Sequence, residues 1–142
     1  MAQGSPIEVV LGADTATGLH GEQLAKRVAD RVTVLTDDGS AGRAGTAADA
    51  VPDAIVRLGA EVVYASGPAA LLRRVGELAQ DHAIRAQVAV EAPMACGTGV
   101  CLSCLLPVRQ DAVQNTRLVR ACVEGPVLEA GRVRWAELAR LA

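Results

Sequence analysis

Short apolar segments alternate with amphipathic segments from the N-terminus to residue 91. Runs rich in β-branched residues predict buried β-strands over residues 7–11, 31–36, 61–65 and 87–91. Between these runs, apolar residues recur at helical spacing and predict helices over residues 21–30, 46–58 and 69–83. Apolar strands that alternate with helices are typical of a parallel sheet covered on both faces. The pattern therefore predicts an α/β domain with a parallel sheet.

Pro52 interrupts the second predicted helix. Proline lacks the backbone N–H that a helix interior uses, so the first turn is expected to break or restart there. Thr46 is a candidate cap at the start of this segment.

The regular alternation stops after residue 91. The last part of the chain, residues 92–142, predicts a small appended module with short strands near residues 105–108 and 133–135. The sequence thus predicts two domains, an α/β domain over residues 1–91 and a module over residues 92–142 that is held largely by a metal centre.

Four cysteines supply the chemistry of this module. Cys96, Cys101 and Cys104 lie in one loop with the spacing C-x4-C-x2-C, and Cys122 follows after a longer interval. This is the plant-type arrangement for a [2Fe–2S] cluster, in which each iron binds two thiolates. Two glycines between the first two cysteines would let backbone N–H groups approach the inorganic sulfides. The four cysteines are therefore candidate cluster ligands.

Two other roles for these cysteines need to be considered. A four-cysteine zinc site is the nearest alternative, although structural zinc sites usually pair two short Cys-x2–4-Cys knuckles. Two disulfides are disfavoured, because residues 1–6 contain no charged segment leading into an apolar secretion signal, and cytoplasmic thiols stay reduced.

Composition narrows the function classes further. Half of the 142 residues are hydrophobic, but Tyr64 and Trp135 are the only aromatic ones, so the core must be aliphatic. A net charge of −2 gives no electrostatic basis for binding nucleic acid or an anionic membrane. The apolar runs are far shorter than the roughly 20 residues of a membrane span, and we expect a cytoplasmic protein. We find no Ser/His/Asp or Cys/His set that predicts a catalytic site.

Candidate ligand-binding residues follow the predicted strands, since parallel sheets bind ligands at the carboxyl ends of their strands. These candidates are Gly12, Asp37, Asp38, Gly39, Ser40, Gly67 and Pro68. Asp37 or Asp38 could accept hydrogen bonds from ribose hydroxyls and repel a 2′-phosphate, which would favour NAD over NADP. The alternative is that residues 37–45 form a flexible loop that only joins a strand to a helix.

Longer motifs carry a resemblance to a known family. The segment VEAPMACGTGVCLSC at residues 90–104, with CVEGPV at residues 122–127, resembles the electron-transfer subunit of dihydroorotate dehydrogenase B, a member of the ferredoxin–NADP reductase superfamily. Upstream, TDDGSAGRAG at residues 36–45 and ASGP at residues 65–68 are similar to the same family and occur in the same order. The resemblance covers nearly the whole chain.

The resemblance implies both a fold and a function. NADH would give a hydride to FAD, and the flavin would pass single electrons through the [2Fe–2S] cluster to an FMN-containing catalytic subunit of a heterotetramer. That subunit exchanges electrons with dihydroorotate and orotate in pyrimidine biosynthesis. The candidate residues at the strand ends would lie at the NAD site. The alternatives are the small subunit of another NAD(P)-linked iron–sulfur flavoprotein complex and a zinc-stabilised binding module without redox activity.

The sequence also departs from that family. It starts at what corresponds to the second strand of the nucleotide domain, and the FAD-binding barrel and the first glycine-rich turn do not occur in it. We therefore expect an N-terminal truncation, either a fragment, a late start or a remnant. Such a chain is expected to carry the cluster but neither to retain FAD nor to oxidise NADH by itself.

Overall fold

The computed structural model describes residues 4–110 and 113–141. Contacts between residues divide the chain into two compact units, Met1–Ala60 and Glu61–Ala142. Each unit contains its own β-sheet.

The first unit is built around three parallel strands. These are β1 (Glu8–Ala13), β2 (Arg31–Thr36) and β3 (Arg43–Ala44), with β2 in the middle. Its helices are α1 (Glu22–Val28) and α2 (Val51–Leu58), with short 3-10 helices at Ala16–Gly18 and Ala47–Ala50. The buried residues are small or aliphatic, and Leu35 and Thr36 at the end of β2 are fully buried.

Local sequence determines where the 3-10 helix and α2 begin. Thr46 and Asp49 form a capping box around the 3-10 helix, in which the carboxylate of Asp49 accepts a hydrogen bond from the Thr46 backbone N–H at 2.8 Å. The 3-10 helix ends at Ala50, and α2 begins with Pro52 in its first turn. The predicted restart at Pro52 is thus confirmed.

The second unit combines a mixed sheet with an antiparallel hairpin. In the sheet, β4 (Val62–Ser66) runs parallel to β5 (Arg85–Ala89), and β8 (Val127–Glu129) runs antiparallel to β5. The hairpin consists of β6 (Leu105–Gln110) and β7 (Val113–Arg120). The helices are α3 (Ala69–Asp81), α4 (Ala121–Glu124) and α5 (Trp135–Leu141), with a 3-10 helix at Ala130–Arg132.

One apolar core joins the parts of the second unit. Leu72 of α3 and Val88 of β5 are fully buried in the same cluster as Leu106 of β6, together with Val119 and Leu138. The residues after 91 therefore have aliphatic packing in addition to any support from a metal centre. The predicted domain boundary at residues 91 and 92 stays a prediction.

The α/β class and the parallel strand pairing are confirmed. The strand predicted over residues 133–135 is wrong at its end. Val133 forms an isolated bridge with Val108, but Trp135 starts α5, whose first turn is closed by the Leu138 N–H donating to the Arg134 carbonyl at 2.9 Å. Strands β7 and β8 were not predicted. Among the described residues, no helix is long and apolar enough to cross a membrane.

Candidate metal centre

The three-cysteine loop connects β5 to β6 through residues 90–104. Gly97 and Gly99 have φ of +68° and +83°, a left-handed conformation that costs glycine little and other residues about 1–2 kcal/mol. Cys104 is the last residue before β6, and Cys122 lies in α4 directly after β7. Because β6 and β7 pair, the fourth cysteine is brought next to the third, and the Ala121 N–H donates to the Cys104 carbonyl at 2.8 Å.

The four free thiols form two pairs. The Sγ atoms of Cys104 and Cys122 lie 3.4 Å apart. Cys96 and Cys101 lie in the same loop, where the Sγ of Cys96 accepts a hydrogen bond from the Thr98 N–H at 3.4 Å and the backbone and thiol of Cys101 help to lower the Cys96 pKa. The first pair is buried or half-buried, and the second pair is exposed. One pair is thus held against the core while the other faces solvent.

Hydrogen bonds to the sulfur atoms shift their acidity. The backbone N–H of Cys101, followed by the side chain and backbone of Thr98, lowers the pKa of Cys96 to about 5. The pKa of Cys104 is lowered, chiefly by a hydrogen bond from the backbone N–H of Cys122. The pKa of Cys122 is raised, chiefly by the contact of its thiol with the thiol of Cys104. N–H donors that stabilise thiolates favour metal binding, since the thiolate is the ligand.

The hydroxyl of Ser103, near the end of the loop, makes three contacts with other loop residues. Its Oγ accepts a hydrogen bond from the Ala95 N–H at 3.3 Å and donates to the Pro93 carbonyl at 3.2 Å. The same oxygen lies 3.1 Å from the Sγ of Cys101. One hydroxyl therefore ties the start of the loop to its second cysteine.

Gly99 connects the loop to the segment of the fourth cysteine. Its carbonyl accepts a hydrogen bond from the Arg120 guanidinium at 2.9 Å, and its backbone N–H acts to lower the pKa of Cys122, against the larger effect of Cys104. A Cβ at this position would lie 2.8 Å from the Cγ2 of Val123. Neither Ser103 nor Arg120 was singled out from the sequence, because the cysteine spacing says nothing about which side chains support the loop.

The donor set suits a two-iron cluster. A structural zinc site places four ligands around one ion. A [2Fe–2S] cluster instead takes two thiolates on each iron, and the chain offers two thiol pairs. Left-handed glycines and N–H donors to sulfur fit the same group.

In the first unit, the predicted nucleotide residues lie at the carboxyl ends of β1 and β2. The Asp37 N–H donates to the Ala13 carbonyl at 3.1 Å, which holds the two strand ends together. Asp38 accepts hydrogen bonds from the hydroxyl of Ser40 at 2.6 Å and from its N–H at 2.9 Å. These bonds lower the pKa of Asp38. The Ser40 hydroxyl in turn accepts from the Ala16 N–H at 2.7 Å.

The two glycines of this group have structural roles of their own. A Cβ on Gly12 would lie 2.7 Å from the Cβ of Ala47, so glycine lets the strand pack closely on the 3-10 helix. Gly39 has φ of +72° in the turn after β2. Their contact with a nucleotide, like that of Asp37, Asp38 and Ser40, stays a prediction.

In the second unit, Gly67 and Pro68 follow β4. Gly67 has φ of +143°, and Pro68 caps α3, its carbonyl accepting the Leu72 N–H at 3.1 Å. Ser66 at the end of β4 pairs with Ala89 at the end of β5. This turn and the start of the cysteine segment therefore lie at the same carboxyl-terminal end of the two strands. Nicotinamide binding there also stays a prediction.

Comparisons with known proteins agree with this centre. Residues 91–134 match the iron–sulfur cluster binding domain of dihydroorotate dehydrogenase B. Over 106 residues the chain is 35% identical to the dihydroorotate dehydrogenase B (NAD(+)) electron transfer subunit of Caldanaerobacter subterraneus, and over 138 residues it is 33% identical to that of Streptococcus thermophilus. The chain belongs to this family.

A solved structure supports the fold as well. The structure of an NADH-dependent reduced ferredoxin–NADP oxidoreductase is similar to this chain, with a TM-score of 0.76 and 30% sequence identity over 95% of the chain. The chain spans 46% of that protein, and the two alignments above cover 75% and 93% of this chain but 39% and 49% of the relatives. It thus spans about half or less of the proteins it matches.

Proposed function

We propose that this chain relays single electrons between a flavin and a partner protein through a [2Fe–2S] cluster held by Cys96, Cys101, Cys104 and Cys122. Such a cluster gains and loses one electron at a time. We propose that the relay runs from NADH and FAD to the FMN-containing catalytic subunit of a cytoplasmic dihydroorotate dehydrogenase, within a heterotetramer that serves pyrimidine biosynthesis.

The observation that carries this proposal is the arrangement of four thiols as two pairs inside a segment that matches an iron–sulfur binding domain. The chain's own residues hold the site in two ways. The pair Cys104 and Cys122 is fixed by the β6–β7 hairpin, and the exposed pair is held by Ser103 and loop N–H groups. The exposed pair leaves one side of the site open to a redox partner.

The nucleotide end of the relay is assigned to residues that follow the predicted strands. Asp37 is the carboxylate that we assign to the NAD ribose, because Asp38 is already engaged by Ser40. Gly12 and Gly39 would shape that end of the first unit's sheet. Gly67 and Pro68 of the second unit are candidate nicotinamide contacts on the basis of the resemblance alone. The names of the relatives, which are NAD(+)-linked electron transfer subunits, support NAD and the catalytic partner.

A second candidate is the corresponding part of another NAD(P)-linked iron–sulfur flavoprotein. The specific observation in its favour is the similarity to the NADH-dependent reduced ferredoxin–NADP oxidoreductase, which covers 95% of the chain. The two candidates share the cluster and differ in the electron acceptor.

The cluster itself is tested by anaerobic reconstitution with iron and sulfide, followed by metal analysis and visible and electron paramagnetic resonance spectroscopy. We expect two irons and two sulfides per chain and a visible absorption that dithionite bleaches. Cys122→Ser should lose the cluster, whereas Ser66→Ala, outside the cysteine segment, should retain it. A colourless protein that binds one zinc per chain would overturn the proposal.

The acceptor is tested with the reduced, cluster-loaded protein. Adding a dihydroorotate dehydrogenase catalytic subunit with orotate should reoxidise the cluster, and an oxidised ferredoxin should not. The reverse result would favour the second candidate.

A further inference from the structure

Arg120 connects the segment of the fourth cysteine to the three-cysteine loop. It is the last residue of β7, two residues before Cys122, and its half-buried side chain crosses to the three-cysteine loop. There its guanidinium donates to the carbonyl of Gly99 at 2.9 Å, a contact between residues 21 positions apart. Gly99 lies between Cys96 and Cys101, so the side chain joins the loop to the segment of the fourth cysteine.

The bond places a positive charge on the loop that carries Cys96 and Cys101. A carbonyl oxygen is a neutral acceptor and leaves the charge of a guanidinium in place, and arginine stays protonated at all ordinary pH values. Arg117, three residues earlier on the same strand, differs in this respect because it pairs with the carboxylate of Glu124 at 3.0 Å. Both arginines carry a positive charge on the same strand. Among the described hydrogen bonds and ion pairs, Arg120 binds the three-cysteine loop and Arg117 binds Glu124.

We propose that Arg120 is a positioning residue that holds the three-cysteine loop against the Cys122 segment and whose charge raises the reduction potential of the cluster. This inference rests on the cysteine ligation proposed above. Reduction of a [2Fe–2S] centre by one electron adds one negative charge, and a fixed cation nearby stabilises that charge. Charge and hydrogen bonding around the sulfurs are general determinants of cluster potential.

The test compares four cluster-loaded proteins by redox titration followed by electron paramagnetic resonance. They are the natural chain, the variants Arg120→Gln and Arg120→Lys, and the control Arg109→Gln, which removes an exposed arginine of β6. Arg120→Gln should disfavour reduction by about tenfold in equilibrium constant, a fall of ~59 mV for a one-electron couple. Arg120→Lys keeps the cation and should stay close to the natural potential, and Arg109→Gln should do so as well.

Two results would overturn the role of the charge. One is that Arg120→Gln has the same potential as the natural chain. The other is that Arg120→Lys behaves as Arg120→Gln does, either in potential or by failing to retain the cluster. If Arg120→Gln loses the cluster while Arg120→Lys keeps it at the natural potential, the need for a cation at this position is supported.

The positioning role has a readout that needs no cluster. In the metal-free chain, amide hydrogen exchange at residues 97–101 should be faster in Arg120→Gln than in the natural chain, and Arg109→Gln should leave it unchanged. Equal exchange in all three would refute the positioning role. If the natural chain takes up no cluster at all, the proposed function fails, and the exchange measurement still decides whether Arg120 holds the loop.

Discussion

Replacing Gly99 by alanine should weaken the metal centre more than replacing Gly97 in the same way. Both residues have left-handed backbone, so either alanine costs about 1–2 kcal/mol in conformational strain. The surroundings differ. A Cβ on Gly97 meets nothing within 4 Å among the described residues, whereas a Cβ on Gly99 would lie 2.8 Å from the Cγ2 of Val123. Carbon atoms in contact normally lie about 3.5–4.0 Å apart.

The extra cost at Gly99 can be bounded. Val123 is 53% exposed, so it can turn aside, and a displaced rotamer costs about 0.5–1.5 kcal/mol. The total is then about 1.5–3.5 kcal/mol for Gly99→Ala against about 1–2 kcal/mol for Gly97→Ala. Since every 1.4 kcal/mol is a factor of ten, Gly99→Ala should hold the cluster about two- to tenfold more weakly than Gly97→Ala.

The assay is anaerobic competition with an iron chelator at equilibrium, monitored by visible absorption. Two controls separate strain from contact. Gly97→Asn should hold the cluster better than Gly97→Ala, because asparagine tolerates left-handed backbone. Gly59→Ala, with φ of +61° and open space around it in the first unit, should destabilise α2 but leave the chelator curve unchanged. A loss in Gly97→Ala equal to or larger than that in Gly99→Ala would refute the reasoning.

Two further predictions concern a hydroxyl and an ion pair. Ser103→Ala should speed amide exchange at Ala95 by about two- to tenfold, since each hydrogen bond contributes about 0.5–1.5 kcal/mol. Ser103→Thr should restore protection, and unchanged exchange in Ser103→Ala would contradict this. Burial acts to raise the pKa of Glu8, but hydrogen bonds from Arg57 and Thr33 prevail and lower it below its ordinary value of 4.5. The resulting stability is present above about pH 4.5 and lost as pH falls through the lowered pKa. Urea unfolding at pH 7 and pH 3.5 should therefore show a smaller acid loss in Glu8→Gln than in the natural chain, and equal losses would exclude this role.

Much of the fold could be predicted because its strands are local, apolar runs. Residues 31–36 form a strand over the predicted range, since their β-branched residues suit a buried parallel position. Strand β7 could not be found in this way. Its residues 115–118 are exposed, and the strand exists because it pairs with the buried β6, from Leu105↔Arg120 onward. Pairing of that kind depends on a partner strand and not on the pattern of one segment.

The chemistry of the centre and its support are encoded differently in the sequence. Cysteine spacing identifies the ligands because four thiolates must reach two irons from a short loop and one separate segment. Spacing treats Gly97 and Gly99 alike, and it leaves Ser103 as an ordinary residue between two cysteines. The structure separates the two glycines, because only Gly99 meets Arg120 and Val123, which follow the β6–β7 pairing. It also shows that the Ser103 hydroxyl has three contacts within the loop.

These distant contacts have a consequence for electron transfer. If Arg120 sets the charge beside the thiols, then two chains with identical cysteine spacing can differ in potential through one residue of the neighbouring strand. A relay functions only when its potential lies between those of its donor and its acceptor. On this proposal, the four cysteines determine whether a cluster is bound, whereas Arg120 of β7 helps to determine which redox partners the bound cluster can serve.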